Sequence, residues 1–119
     1  AFLREHEKDA NLRSRAIWVL AQLGKQGCAE VSKYLNAEDE PEKIIVAYRA
    51  LRHGDPKGLL DRANALAGSK FPSVRREVAV SLKEVSFFEC RKSLIALIDG
   101  YDGRNRYYLE ALGVAFHGK

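Results

Sequence analysis

Two interleaved series of leucines with one common step constrain this chain more than any other feature. Leu20, Leu51 and Leu82 stand 31 residues apart, Leu112 follows at 30, and Leu35, Leu66 and Leu97 form a second series with the same step of 31. One such series could arise by chance. Two registers sharing a period argue for a two-helix unit repeated in tandem, each unit too small to bury its apolar face without its neighbours.

Within the segments 12–20, 43–51 and 74–82, which superpose on the leucines, apolar residues recur with helical rather than strand spacing. Leu12, Ala16, Leu20 and Leu23 fall on one face, as do Ile44, Ala47, Tyr48 and Leu51. The punctuation agrees with this. Asp9 is placed as an N-cap, and Gly24 follows the end of the first helix. Asp39, Pro41 and Glu42 supply a cap, a proline at the first helical position and a capping-box carboxylate, and Asp55-Pro56 repeats the cap-plus-proline arrangement. Gly68 and Pro72 bracket the next gap. Glycines 24, 54, 68, 100 and 113 are read as helix terminators or close-packing positions.

Helices are predicted near 10–23, 26–36, 41–53, 56–67, 72–85, 88–99 and 103–116. The fold class that follows is all-α, an α-solenoid of three antiparallel helix pairs plus one further helix, spanning 1–119 as one domain. Residues 2–7 are read as the end of a preceding helix. The chain opens without Met and is expected to be a piece of a longer protein, so compartment is left open.

Composition sets outer bounds. With 46% hydrophobic and 30% charged residues the chain is in the globular range. The net charge of +4 suits many partners and singles out none. The longest uncharged apolar stretch, 16–24, is about half of a bilayer crossing, so no membrane contact is expected from this segment.

The order Asp9, Leu12-Arg13, Ala16 resembles HEAT repeats of the short bacterial kind. Two units depart from that pattern, with Ile44 in the place of the arginine and Phe71 in the place of the acid. The resemblance covers nearly the whole chain and implies a helical superhelix that binds proteins. A narrower likeness lies in Tyr101-Asp102-Gly103-Arg104-Asn105-Arg106-Tyr107-Tyr108-Leu109-Glu110-Ala111-Leu112-Gly113. This run is similar to a segment of large planctomycete-type proteins, in which HEAT-like arrays stand beside a sugar-dehydrogenase-like propeller and a cytochrome c or haem-binding module. It implies a spacer between redox domains of an exported, periplasmic parent.

No cluster in the sequence announces a reaction. Cys28 and Cys90 lie two repeats apart, which puts them on layers about 20 Å apart at roughly 10 Å per helix layer. A disulfide needs Cα atoms within about 7 Å, so they are read as small buried apolar side chains with Leu59 between them. There is no C-x-x-C and no C-x-x-C-H. His6, His53 and His117 are scattered, with only a weak His6/Asp9 pair at a helix end, and no Gly-rich phosphate loop occurs. The chain is therefore read as a non-enzyme without metal or cofactor.

Two surfaces remain as candidates. Arg13 and Arg75 occupy matching repeat positions, where an arginine can hold carbonyls or carboxylates of the next unit. Alternatively Arg13, Arg15, Arg75, Arg76, Arg104 and Arg106 line a basic edge for phosphates, as in HEAT-like DNA glycosylases. Against a basic face, the aligned outer positions of the second helices read Glu30, Asp61, Lys92 and Lys33, Asn64, Ile95. Trp18 and the group Tyr101, Tyr107 and Tyr108 are candidate partner anchors, and Phe87-Phe88 is placed as a plug between the fifth and sixth helices. The candidate interaction surface is Arg13, Trp18, Arg75, Arg76, Arg104, Arg106 and Tyr107. The functional expectation is a non-catalytic, monomeric scaffold whose partner is another protein or the neighbouring domains of its parent. A nucleic-acid-binding HEAT module is the alternative, and a chromophore-lyase relative a weaker third.

Overall fold

A computed structural model of the chain describes residues 10–36 and 40–119. Among these residues the regular structure is all helical, with seven α-helices, two short 3-10 turns and no strand. The chain divides into two compact units, the first running through Leu59 and the second from Leu60 to Lys119.

The first unit holds α1 (Ala10–Ala21), α2 (Lys25–Ser32) with a 3-10 extension (Lys33–Asn36), α3 (Pro41–Gly54) and a 3-10 turn (Pro56–Gly58). The second holds all but the first residue of α4 (Leu59–Leu66), together with α5 (Pro72–Ser81), α6 (Phe87–Asp99) and α7 (Arg106–Phe116). Predicted and observed helices correspond one to one. The fourth starts later than expected, because Pro56-Lys57-Gly58 closes an i→i+3 bond from the Gly58 N–H to the Asp55 carbonyl at 3.2 Å. Glycine so early in a helix favours that tighter turn over α-helix.

The expected caps are only partly realised. Pro41 stands at the first position of α3, but the N-cap is Glu40 and its side chain makes no capping bond. Glu40 is drawn instead into ion pairs with Lys43 at 3.0 Å and Arg13 at 3.7 Å. Asp55 likewise makes no side-chain cap at Pro56. Asp9, Asp39, His6 and residues 2–7, which carried the remaining expectations at the chain start and before α3, lie outside the described residues.

In the first unit α1 packs on α2 and α3, and α2 packs on α3. The shared core is Ala16, Ile17, Ala21, Cys28, Val31, Ala47, Ala50 and Leu51. On α3 the predicted face is the buried one: Ile44, Ala47, Tyr48 and Leu51 are all inside. On α1 the prediction needs correcting. Leu12 and Leu23 are 36% and 65% exposed, and the inward face is Ala16, Ile17 and Ala21. Small residues decide this rotation, since alanines on both helices let α1 and α3 approach closely. A Cβ at Gly54 would overlap the backbone carbonyl of Ala21, so the glycine at the end of α3 is a contact requirement as well as a stop signal.

In the second unit α5 packs on α7, and α6 packs on both. Their core is built from Val74, Val78, Ala79 and Leu82, from Cys90, Leu94 and Leu97, and from Tyr108, Ala111, Leu112 and Ala115. Gly113 corrects another expectation, because it sits within α7 in open surroundings and neither ends nor packs that helix. The C-terminal closure comes from Lys119, whose ammonium donates to the carbonyls of Leu82, at 2.9 Å, and of Ala115. A cation over the last carbonyls of α5 and α7 opposes the partial negative charge there.

The Phe87-Phe88 plug is not formed. Cys90, Ser93, Leu94 and Leu97 turn inward. Phe88, two positions before Cys90, is carried to the opposite side and is 87% exposed. A local break at Cys90 (φ −110, ψ 15) separates the first turn of α6 from the rest.

Candidate interaction surface

The residues singled out by sequence fall into three structural settings. Arg75 occupies the most determined one. From the first turn of α5 its guanidinium donates to the carbonyl of Gly100 at 3.1 Å, to the carbonyl of Ser69, and through Nε to the Tyr108 hydroxyl at 3.2 Å. The Tyr108 hydroxyl in turn donates to the Leu97 carbonyl. Tyr101 stacks on Tyr108 with ring centres 5.5 Å apart and planes 9° from parallel. Arg75 thus ties the turn before α5, the end of α6 and the first turn of α7 into one node. Three of its N–H groups are engaged inside the unit, and two of the three tyrosines named as anchors are structural.

The loop leading into α7 has its own determinants. Asp102 Oδ1 accepts from the backbone N–H groups of Arg104 at 2.8 Å and Asn105 at 3.1 Å. Those bonds favour the carboxylate and hold the Asp102 pKa below its ordinary value. Gly103 takes φ +80, a conformation side chains resist. Asn105 then caps α7, accepting from the Tyr108 N–H at 3.1 Å. Asp102, Gly103, Asn105 and Tyr108 therefore each have a local structural task.

Around this node lie Arg76, Arg104, Arg106 and Tyr107. Arg76 stands over the Tyr107 ring at 6.0 Å, and its buried Nε has no hydrogen-bond partner. Arg106 pairs with Glu110 one turn on, at 3.2 Å, with both side chains largely in water. Arg104 is exposed. The structure brings Arg76 and Tyr107 together here, with the charge of Arg106 already offset by Glu110.

Arg13 and Trp18 belong to the other unit. Arg13 reaches Glu40 at 3.7 Å. Trp18 is half-buried against the core, and its ring lies 5.1 Å from that of His53 near the end of α3, the two planes tilted by 54°. Arg15 is exposed at the edge of a shallow apolar hollow of about 350 Å³ lined by Leu12, Ala16, Val19 and Leu20.

The cysteines are free and buried. The Cys28 thiol donates to the Ala21 carbonyl at 3.3 Å, and the Cys90 thiol to the Ser86 carbonyl at 3.2 Å. Burial pushes the Cys90 pKa up, against a smaller pull from the Lys119 ammonium, so the thiolate is scarce. Among the described residues no group of three or more His, Cys, Asp or Glu could hold a metal ion, and no helix is long and apolar enough to cross a membrane.

A surface not singled out by sequence is the outer side of α6. Phe88, Ile95 and Ile98 are all exposed there, beside Arg91 and Lys92. The available signal was the repeat alignment itself, which places Lys92 and Ile95 where the other units carry acids and polar residues.

No family model, curated protein or solved structure matches this chain.

Proposed function

We propose that the chain is a non-catalytic helical-repeat scaffold, a HEAT-like α-solenoid that binds a protein partner or joins neighbouring domains. One observation carries this reading. The packing of α1 on α2 and α3 recurs as the packing of α5 on α6 and α7. The corresponding helices start 62 residues later, Pro72 against Ala10 and Phe87 against Lys25, which is two steps of the leucine registers. Packing that recurs at 62 residues, a multiple of the sequence period, supports a build from equivalent units.

Its direct test is removal of one unit. Deleting residues 41–71 joins Glu40 to Pro72 in register, and the shortened chain is expected to stay helical and to unfold cooperatively. Collapse of the fold overturns the solenoid reading.

The competing nucleic-acid reading needs a continuous basic edge. In the second unit Arg75 is spent on carbonyls and Arg106 is paired. Titration of labelled duplex DNA is expected to give no binding at about 50 mM salt, and tight binding that falls steeply by about 200 mM overturns the scaffold reading. The narrower form of the proposal is a spacer in a larger exported redox protein. Its support is the likeness of 101–113, whose distinctive residues have structural tasks. A parent chain with a propeller before this segment and a C-x-x-C-H after it is the decisive observation.

A further inference from the structure

α1, α3 and α5 hold matching places in the repeat, yet one side of α1 is buried less than the same side of the other two. Val19 is 60% exposed, whereas Ala50 and Ser81, 31 and 62 residues on, are buried. Ala47 and Val78 stand at the position of Ala16, Leu51 and Leu82 at that of Leu20, and all four are buried. Leu23 is 65% exposed, while its equivalent Gly54 lies so close to the Ala21 carbonyl that a Cβ there would overlap it. What covers this side of α3 is α1 itself, through Ala16, Ile17 and Ala21. On α1 the same side forms the apolar hollow of about 350 Å³ lined by Leu12, Ala16, Val19 and Leu20. Among the described residues around it only Arg15, at the rim, is charged, and an arginine can lay its stem on an apolar neighbour with the guanidinium in water.

From this contrast we infer that the side of α1 bearing Val19 and Leu23 is the seat of a further helix pair of the same build, laid in covalent series before α1. The inference deepens the scaffold reading and rests on it. It continues the α1–α3 contact by one step of the repeat: the incoming helix covers α1 as α1 covers α3. The chemistry of that helix follows from what it meets. Val19 and Leu23 fill the space that Ala50 and Gly54 leave open on α3, so its inward face must be as small as the Ala16 and Ala21 face of α1, or it must sit farther out. A covalent neighbour suits the size of the seat. α1 has 12 residues and offers a strip roughly 18 Å long and about 10 Å across. That is well short of the roughly 800 Å² per partner that a stable complex between separate chains buries, whereas a unit on the same polypeptide is held at high effective concentration.

The test labels the whole chain carrying Val19→Cys with a thiol-reactive fluorophore, the native Cys28 and Cys90 being buried. Two extended forms are compared with it. In one a copy of residues 41–71, and in the other a copy of residues 10–40, replaces residues 1–9 directly ahead of Ala10, so that both keep the register of 31. Both extended forms are expected to gain helix by circular dichroism. Labelling of Val19→Cys is expected to be fast in the whole chain and at least about tenfold slower in one or both extended forms. Arg104→Cys, on an exposed loop of the second unit, is expected to label at one rate throughout.

Unchanged labelling of Val19→Cys in both extended forms overturns the assignment, and so does a failure of both to gain helix. Labelling that is slow in the whole chain and becomes fast on dilution gives this side of α1 to a second copy and overturns it. Slow labelling that trimming the chain to Ala10 releases gives it to residues 1–9 and overturns it too. Collapse of the chain on deleting residues 41–71 sinks the scaffold reading itself. Unchanged labelling beside a cooperatively folded deletion variant sinks only the seat on α1, so the two failures are distinguishable.

Discussion

Arg13 and Arg75 hold the same place in the repeat, 62 residues apart, and do different work. Arg75 donates to two carbonyls and a phenol, whereas Arg13 makes a 3.7 Å pair with Glu40, a carboxylate that Lys43 holds more closely at 3.0 Å. The neighbours account for the contrast. Two residues of the third helix pair's surroundings, Gly100 and Tyr108, complete the Arg75 node, and the position one unit pair back from Tyr108 is Val46, which has no hydroxyl. The acceptors that Arg75 meets come from the adjoining turn and from α7. The repeat pattern alone does not specify those acceptors.

Replacing Arg75 breaks the comparison most severely. Arg75→Ala removes several charge-assisted bonds and is expected to cost about 3 kcal/mol in urea unfolding, with Arg75→Lys recovering little, because an ammonium cannot span the same fork. A cost no larger than that of Arg13→Ala would mean that the node is incidental.

Gly100→Ala sharpens the point without touching the arginine. A Cβ there would lie 2.7 Å from Arg75 Nε, and the expected cost is about 1 to 2 kcal/mol. In an Arg75→Ala background the same change is expected to be nearly neutral, a coupling that a double-mutant cycle measures. Additive costs would refute the contact.

Arg13→Ala is expected to cost less than Arg75→Ala, because the Glu40 carboxylate it reaches at 3.7 Å is half in water and shared with Lys43. Rising salt is expected to erode this small effect and leave the Arg75 loss nearly unchanged.

Asp102 gives the smallest effect and the one that depends on pH. Its pKa is lowered in the folded chain by the N–H groups of Arg104 and Asn105. Its contribution is therefore present above the unfolded value near 3.9 and is lost as pH falls through the lower folded value. The thermal midpoint of Asp102→Ala, followed from about pH 5 down to pH 2, is expected to show less acid sensitivity than the parent. An unchanged slope would remove this carboxylate from the loop's account.

Much of the architecture was legible in the residues. Prolines 41 and 72 stand at helix starts, the leucine registers mark buried positions at Leu51, Leu82 and Leu97, and the buried face of α3 was read correctly from its spacing. The misreadings share one cause. Leu12, Leu23, Phe87 and Phe88 are large and apolar, and spacing within one helix does not say whether another element arrives to cover them. Gly113 was read from residue type, and the structure gives it a place inside α7. The candidate surface was legible only as a set of residue types. Arg75 and Tyr108 proved internal, while Phe88 and Ile95 stand exposed.

The sequence by itself determined the period, the helices and most of their inward faces, because these depend on spacing along one chain. The tertiary structure decided which arginine is a staple, how α1 is rotated, and which apolar side chains stay in water. Those outcomes depend on what a neighbouring element brings within bonding or packing distance: a carbonyl at Gly100, a hydroxyl at Tyr108, alanines that let α1 and α3 close together. One helix's residues carry no record of that distance.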